Sequence, residues 1–238
     1  MKNKFFTIAL VFIGVNALGQ ITVTDADLVN VGDVIYQAYD ANPAVSINVG
    51  NSGMSQSWDF SGLQVSYTDT LLVISPVGTP NANLYNNVNI CIDDKGSITY
   101  FDKSSTGLYI HGISDTVFNS PALFLPLPLT YGLTISDGPI VVIEQIITGP
   151  FLSTAIPPAT VSVLTNGLGN SADTALIQVT NTTDFEVDGS GTITIPLGTY
   201  DVLRLKTIQN TSSVLNVYCS DTVSGMGAWI NNIPFSSI

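Results

Sequence analysis

Positive charge is nearly missing from this 238-residue chain, which has 6 lysines and arginines against 18 acidic residues. Nucleic-acid binding needs clustered basic residues to displace phosphate counterions, so nucleic acid is excluded as a partner. Anionic membrane surfaces are disfavoured for the same reason. Histidine occurs once, at His111, which removes sites built from two or three imidazoles. A serine triad needs only one histidine, but no Gly-x-Ser-x-Gly elbow is present. Gly189-Ser190-Gly191 reads as a hairpin turn, and His111, within Leu108-Tyr109-Ile110-His111-Gly112, as a strand-end residue. Glutamate is confined to Glu144 and Glu186. Glycoside hydrolysis needs two facing carboxyl groups, and 16 aspartates supply partners without showing which converge. A sustained 3.6-residue apolar period is also lacking, which leaves no long amphipathic helix.

What is present begins with an export signal. Lys2 and Lys4 precede an uncharged apolar run from Phe5 to Val15, and Ala17-Leu18-Gly19 supplies a small-x-small cleavage site. The run is too short to anchor in a bilayer, and no nearby cysteine offers a lipid attachment point. Residues 1–19 are therefore read as a signal peptide and 20–238 as a single β-sandwich-like domain, secreted or at the cell surface. A mature chain of this size buries roughly 70% of the surface it exposes when unfolded. It keeps Lys95, Lys103, Arg204 and Lys206 against the 18 acidic residues, a net charge of −14.

An oxidising destination makes a disulfide between Cys91 and Cys219 the natural first reading. Strand phase opposes it. Val88, Ile90 and Ile92 share a face that turns Cys91 away, whereas Cys219 shares its face with Leu215 and Val217. Two unpaired, inert buried thiols are the alternative that phase favours.

Short runs of alternating or continuous β-branched and aromatic residues recur between Gly, Pro, Asn and Asp, which predicts an all-β fold, an antiparallel sandwich or open barrel. Strands are expected at Val45–Val49, Val65–Ile74, Ser97–Phe101, Leu108–Ile113, Ile140–Thr148, Thr174–Thr180 and Val214–Cys219. Over 183–209 three alternating segments are expected to form a meander, reversing at Asp188-Gly189-Ser190-Gly191 and at Pro196-Leu197-Gly198. One face would bury Phe185, Val187, Ile193, Ile195, Leu203 and Leu205. Pro121, Pro126 and Pro128 place residues 121–132 at an edge, where a missing backbone donor does least harm. Its leucines then need cover across the open end of a sandwich, or else form a peptide-binding edge. The weak candidate for a domain boundary is Ser153–Ala159, with Pro157-Pro158.

Calcium is the metal that suits so acidic an exported chain. Asp184-x-Glu186-x-Asp188-Gly189 resembles the start of a calcium loop, but its twelfth position is Ile195, where a bidentate glutamate belongs. Asp93-Asp94-Lys95-Gly96 reads as a β-turn rather than a metal nest. Trp58 and Trp229 are candidate stacking platforms for sugar rings, with buried packing the alternative; Trp58 and Phe60 share a strand face, which favours the core.

Four segments together resemble the N-terminal β-rich region of secreted Bacteroidota proteins exported as type IX secretion cargo: Gly19–Leu28 (GQITVTDADL), Gln56–Leu63 (QSWDFSGL), Phe124–Gly132 (FLPLPLTYG) and Gly191–Leu205 (GTITIPLGTYDVLRL). The resemblance implies export, with a separate sorting domain that this chain does not contain, so a truncated copy or a periplasmic protein is the expectation. It also implies O-glycosylation at Asp-Thr followed by an apolar residue, here Thr70, Thr116, Thr174 and Thr222. The family region transfers no catalytic or binding residue.

The expected function is a non-catalytic exported β domain for surface attachment, adhesion or glycan binding, with a glycan or a surface protein as partner. The alternatives are a secreted hydrolase using paired aspartates and a structural spacer of a larger surface protein.

Overall fold

The computed structural model describes residues 20–42 and 48–233. The signal peptide lies outside that range, as do the first three residues of the expected 45–49 strand; Asn48 and Val49 are not in a strand.

Turn chemistry and alternation together produce a six-stranded antiparallel sheet. Its strands are β2 (Val34–Tyr39), β4 (Tyr67–Ile74), β5 (Ile90–Asp94), β6 (Ser97–Ser104), β7 (Gly107–Ile113) and β8 (Thr116–Pro126), side by side in that order. The β5–β6 joint is the expected turn. Lys95 and Gly96 take φ of 51° and 96°, as a two-residue hairpin loop requires, and the Gly96 amide donates to Asp93 Oδ1 at 2.7 Å.

The middle of this sheet is buried on both sides. Val73, Ile90, Phe101 and Leu108 pack on one face. Cys91, Ile98 and Tyr100 pack on the other beneath the 75–88 segment, whose Tyr85 ring stacks on Tyr100 at 3.8 Å. Cys91 thus turns away from Ile90 and Ile92 as predicted, to a face that is covered as well, but Val88, expected on the face opposite Cys91, packs on the same side as Cys91.

The second sheet holds β10 (Thr134–Thr148), β11 (Ser171–Ile195), β12 (Gly198–Ser220) and β13 (Gly227–Ile233), with β3 (Gly53–Asp59) parallel to the end of β11. The pair β1 (Thr22–Val23) and β9 (Leu129–Thr130) forms a small separate clip. Helices α1 (Phe151–Ala155) and α2 (Pro158–Leu164) lie on the inner face of the second sheet, where Leu152, Ile156 and Val161 join Ala175, Leu215 and Val217. The suggested boundary at 153–159 is thus helix and core. Pro158 sits at the first helical position, where its missing N–H costs nothing.

Leu28 and Leu125 contribute both to the core of the first sheet and to the cluster of Leu127, Leu129 and Val187 on the second. They join the two sheets into an all-β, sandwich-like fold with no closed barrel among the described residues. Lys103 holds this joint from the side, its Nζ donating to Asp25 O, Val29 O and Asn30 Oδ1 at 3.3, 3.1 and 2.8 Å. As expected from its prolines, β8 is an edge strand, and its continuation packs Leu125, Leu127 and Leu129 over the second sheet.

One expected turn does not exist. β11 runs unbroken through Asp188–Gly191, and the three-segment meander is a two-strand hairpin reversing only between Ile195 and Gly198. The two glycines serve close approach instead of reversal. A Cβ on Gly191 would overlap the Gln56 backbone of β3, and one on Gly189 would meet the Trp58 ring at 3.2 Å. A bulge between Val187 and Gly189 adds one residue, and in a period-two structure this flips every side chain beyond it. Phe185, Val187, Leu203 and Leu205 accordingly share the inner face, while Ile193 pairs with Trp58 and Tyr200 on the outer one. Phe185 and Val187 are buried; Ile193, Ile195, Leu203 and Leu205 are only half-buried.

Candidate functional site

The residues read as candidates for catalysis or metal binding are dispersed or already engaged. His111 is a half-buried residue inside β7, at a register shift against β8. Burial pushes its imidazole below its ordinary pKa, and it makes no side-chain hydrogen bond among the described residues. Ser190 lies within a continuous strand. In the calcium-like stretch, both carboxylate oxygens of Asp188 accept from Arg204, at 2.7 and 2.9 Å, and Glu186 lies 3.5 Å from Lys206. Among the described residues no three His, Cys, Asp or Glu side chains come together as a metal site. Asp184 and Glu186 border a hollow of about 150 Å³, but they project side by side from one strand instead of facing each other across a cleft.

The thiols do not bridge. Cys91 and Cys219 are unpaired and buried in different cores, one against the six-stranded sheet and one under the helices of the other. Burial raises the Cys91 thiol to about 11 and pushes Cys219 upward too, which makes both poor nucleophiles.

Arg204 organises the bulged end of the second sheet. Besides Asp188 it donates to the carbonyls of Val49 and Gly50 at 2.7 and 3.0 Å, and its guanidinium lies 5.7 Å from the Trp58 ring centre. Trp58, only 6% exposed, is a structural residue. The Arg204 guanidinium beside Asp188 holds that carboxyl below its usual range. A lowered carboxyl contributes stability that is complete above the unfolded value near 3.9 and is lost as pH falls through the lower folded value. Asp188→Asn is therefore expected to cost about 1–3 kcal/mol at pH 7, and its melting temperature will fall less than that of the parent chain between pH 5 and 2, as thermal melts across that range will read.

The second tryptophan behaves differently. Trp229 on β13 is 46% exposed and stands opposite Tyr218 of β12, their rings edge to face at 5.6 Å. Tyr218 is opposite Thr174 of β11, and Thr174 is opposite Thr148 of β10. Because directly opposed residues share a face, Trp229, Tyr218, Thr174 and Thr148 form one row across four strands, about 14 Å long at the usual strand spacing. The next row is Asn216, Leu176 and Ile146, with Ile146 66% exposed. Beyond it Gln178 donates to Glu144 at 2.6 Å. This outer face, turned away from the helices, combines an exposed indole with hydroxyls, the Gln178 amide and one carboxylate, while Asn216 is buried and accepts from the Asn232 amide.

Sequence reading named Trp229 but not its row, since strand register is settled only by pairing. Of the four candidate glycosylation threonines, Thr70, Thr116 and Thr222 are exposed and Thr174 is half-buried within the aromatic row. A further hollow of about 560 Å³ opens between Thr165–Leu168 and the β12–β13 connection, floored by Cys219, Ala228 and Ile230. No family model matches this chain, and no curated protein or solved structure is significantly similar to it.

Proposed function

We propose that this chain is an exported, non-catalytic β domain that attaches to a surface by binding uncharged glycan across the outer face of β10–β13. The observation that carries the reading is the exposed Trp229 ring at the head of a row of Tyr218, Thr174 and Thr148. An indole face suits the apolar side of a pyranose ring, and flanking hydroxyls suit its rim. Charge favours a neutral ligand. Each of Lys95, Lys103, Arg204 and Lys206 is engaged within the chain, so an anionic polymer meets a strongly negative surface without a free base.

A glycan array followed by calorimetry on the strongest neutral polysaccharide tests this. Trp229→Ala is expected to weaken binding at least tenfold while leaving the melting temperature within about 2 °C, because the ring is half-exposed on an edge strand. No binding to any glycan would support a spacer role; product release from a glycan would support the hydrolase reading.

Export with the resemblance to type IX cargo supports O-glycan on Thr70, Thr116 or Thr222. Intact-mass and glycopeptide measurements on protein secreted by its native host are expected to find at least one of these modified and Thr174, within the sheet, bare. Unmodified peptides at all four positions would remove the idea.

A further inference from the structure

The two edges of the six-stranded sheet are treated very differently. On β8 the edge carries Pro121 and Pro126, and the Leu123 amide donates to Asp137 of the neighbouring sheet at 3.1 Å. At the opposite edge, β2 reads Val34-Ile35-Tyr36-Gln37-Ala38-Tyr39, without proline, charge or bulge. Those are the devices by which proteins protect a free edge from a further strand, and nothing among the described residues pairs with this one.

Which backbone groups are free follows from the ladder. Val73 N donates to Asp33 O and Ser66 N to Tyr39 O, so the odd-numbered residues of β2 turn their polar groups to β4. Val34, Tyr36 and Ala38 turn their N–H and C=O groups to the side away from β4. Their side chains form an uncharged face with Leu72, Thr70 and Thr68 opposite them, and Tyr36 is 80% exposed. Carboxylates bracket this stretch. Among the described residues Asp33, which precedes it, accepts only the Asn30 amide, and Asp40, which follows it, accepts only the Asn42 and Gln64 amides. Neither is paired with a cation among the described residues, and at seven residues apart they lie about 23 Å from one another.

We propose that β2 is a strand-addition site for an extended partner segment of about six uncharged, β-branched residues flanked by a basic residue at each end. The three outward-facing residues supply the ladder, and Asp33 and Asp40 take the two cations and so set the register. A second copy of this chain is a poor occupant, because antiparallel pairing about Gln37 would bring the carboxylates of one copy against those of the other. The site is separate from the Trp229 row and stands or falls without it.

The probe is a fluorescein-labelled peptide, Lys-Thr-Val-Thr-Val-Thr-Val-Lys, read by anisotropy against the full chain. It is expected to bind, with affinity falling as salt rises, and the same peptide flanked by glutamates is expected to bind at least tenfold more weakly. Methylating the alternate peptide amides that face β2 leaves the protein untouched and is expected to abolish binding. Ala38→Pro, which removes an outward N–H, should do the same from the other side, while Asp33→Asn with Asp40→Asn should flatten the salt dependence. Trp229→Ala should change nothing. Equal binding of both flanked peptides, retained binding after methylation, or concentration-dependent self-association through β2 in place of peptide binding would overturn the proposal.

Discussion

Trp58→Ala is expected to cost about 3–5 kcal/mol, the range for truncating a large buried aromatic side chain. The ring is 6% exposed and packs against the backbones of Gly50 and Gly189, which offer no side chain on those two sides to fill the void. It also lies beside the Arg204 guanidinium, so its loss admits water to the Asp188 ion pair. Urea melts will show the loss as a lower midpoint. Lys206→Ala is the comparison, since its ion pair with Glu186 is exposed on both sides and should be worth at most about 1 kcal/mol. Equal losses in the two variants would mean that the bulged end of the sheet does not depend on the tryptophan.

Gly191→Ala is expected to detach β3. The added methyl would fall on the backbone of Gln56, which has no rotamer by which to move aside, so β3 itself must shift and the parallel ladder from Gly189–Gly53 to Thr194–Asp59 is disrupted. Overpacking costs typically about 1–3 kcal/mol, to which lost ladder hydrogen bonds add about 1 kcal/mol each. Hydrogen exchange gives the specific signature: amides of Ser57–Asp59 should lose protection while those of the six-stranded sheet keep theirs. Gly62→Ala is the control. Its Cβ would meet nothing within 4 Å and its φ is not positive, so the change should be neutral or stabilising by up to about 1 kcal/mol through the unfolded chain. Unchanged protection of β3 in Gly191→Ala would show that the close approach is not needed to hold the strand.

The all-β class, the positions of six of the expected strands, the turn at Lys95-Gly96 and the edge placement of residues 121–126 were legible in the sequence. Each rests on local chemistry: side-chain alternation, positive φ or a missing amide proton, all carried by a few adjacent residues. The two helices were missed because neither is long enough for a 3.6-residue period to build up. The available signals were Leu152 and Ile156 four apart, and Pro158 just inside a helix start. Gly189 and Gly191 were misread for a deeper reason. A glycine that lets the chain reverse and a glycine that lets another strand come close are the same residue in a sequence, and only the arrival of β3 separates them.

What the sequence alone determined was therefore the kind of structure and its composition: strands, an acidic surface and a single histidine. Tertiary structure decided which residues meet. The bulge at Asp188 reversed the faces of Ile193 and Ile195, two cysteines went to separate cores, one tryptophan was buried and the other set at the head of an exposed row. These outcomes depend on register and on contacts between strands far apart in the chain, and a period of two is blind to both, because a shift of one residue exchanges inside for outside without altering the pattern.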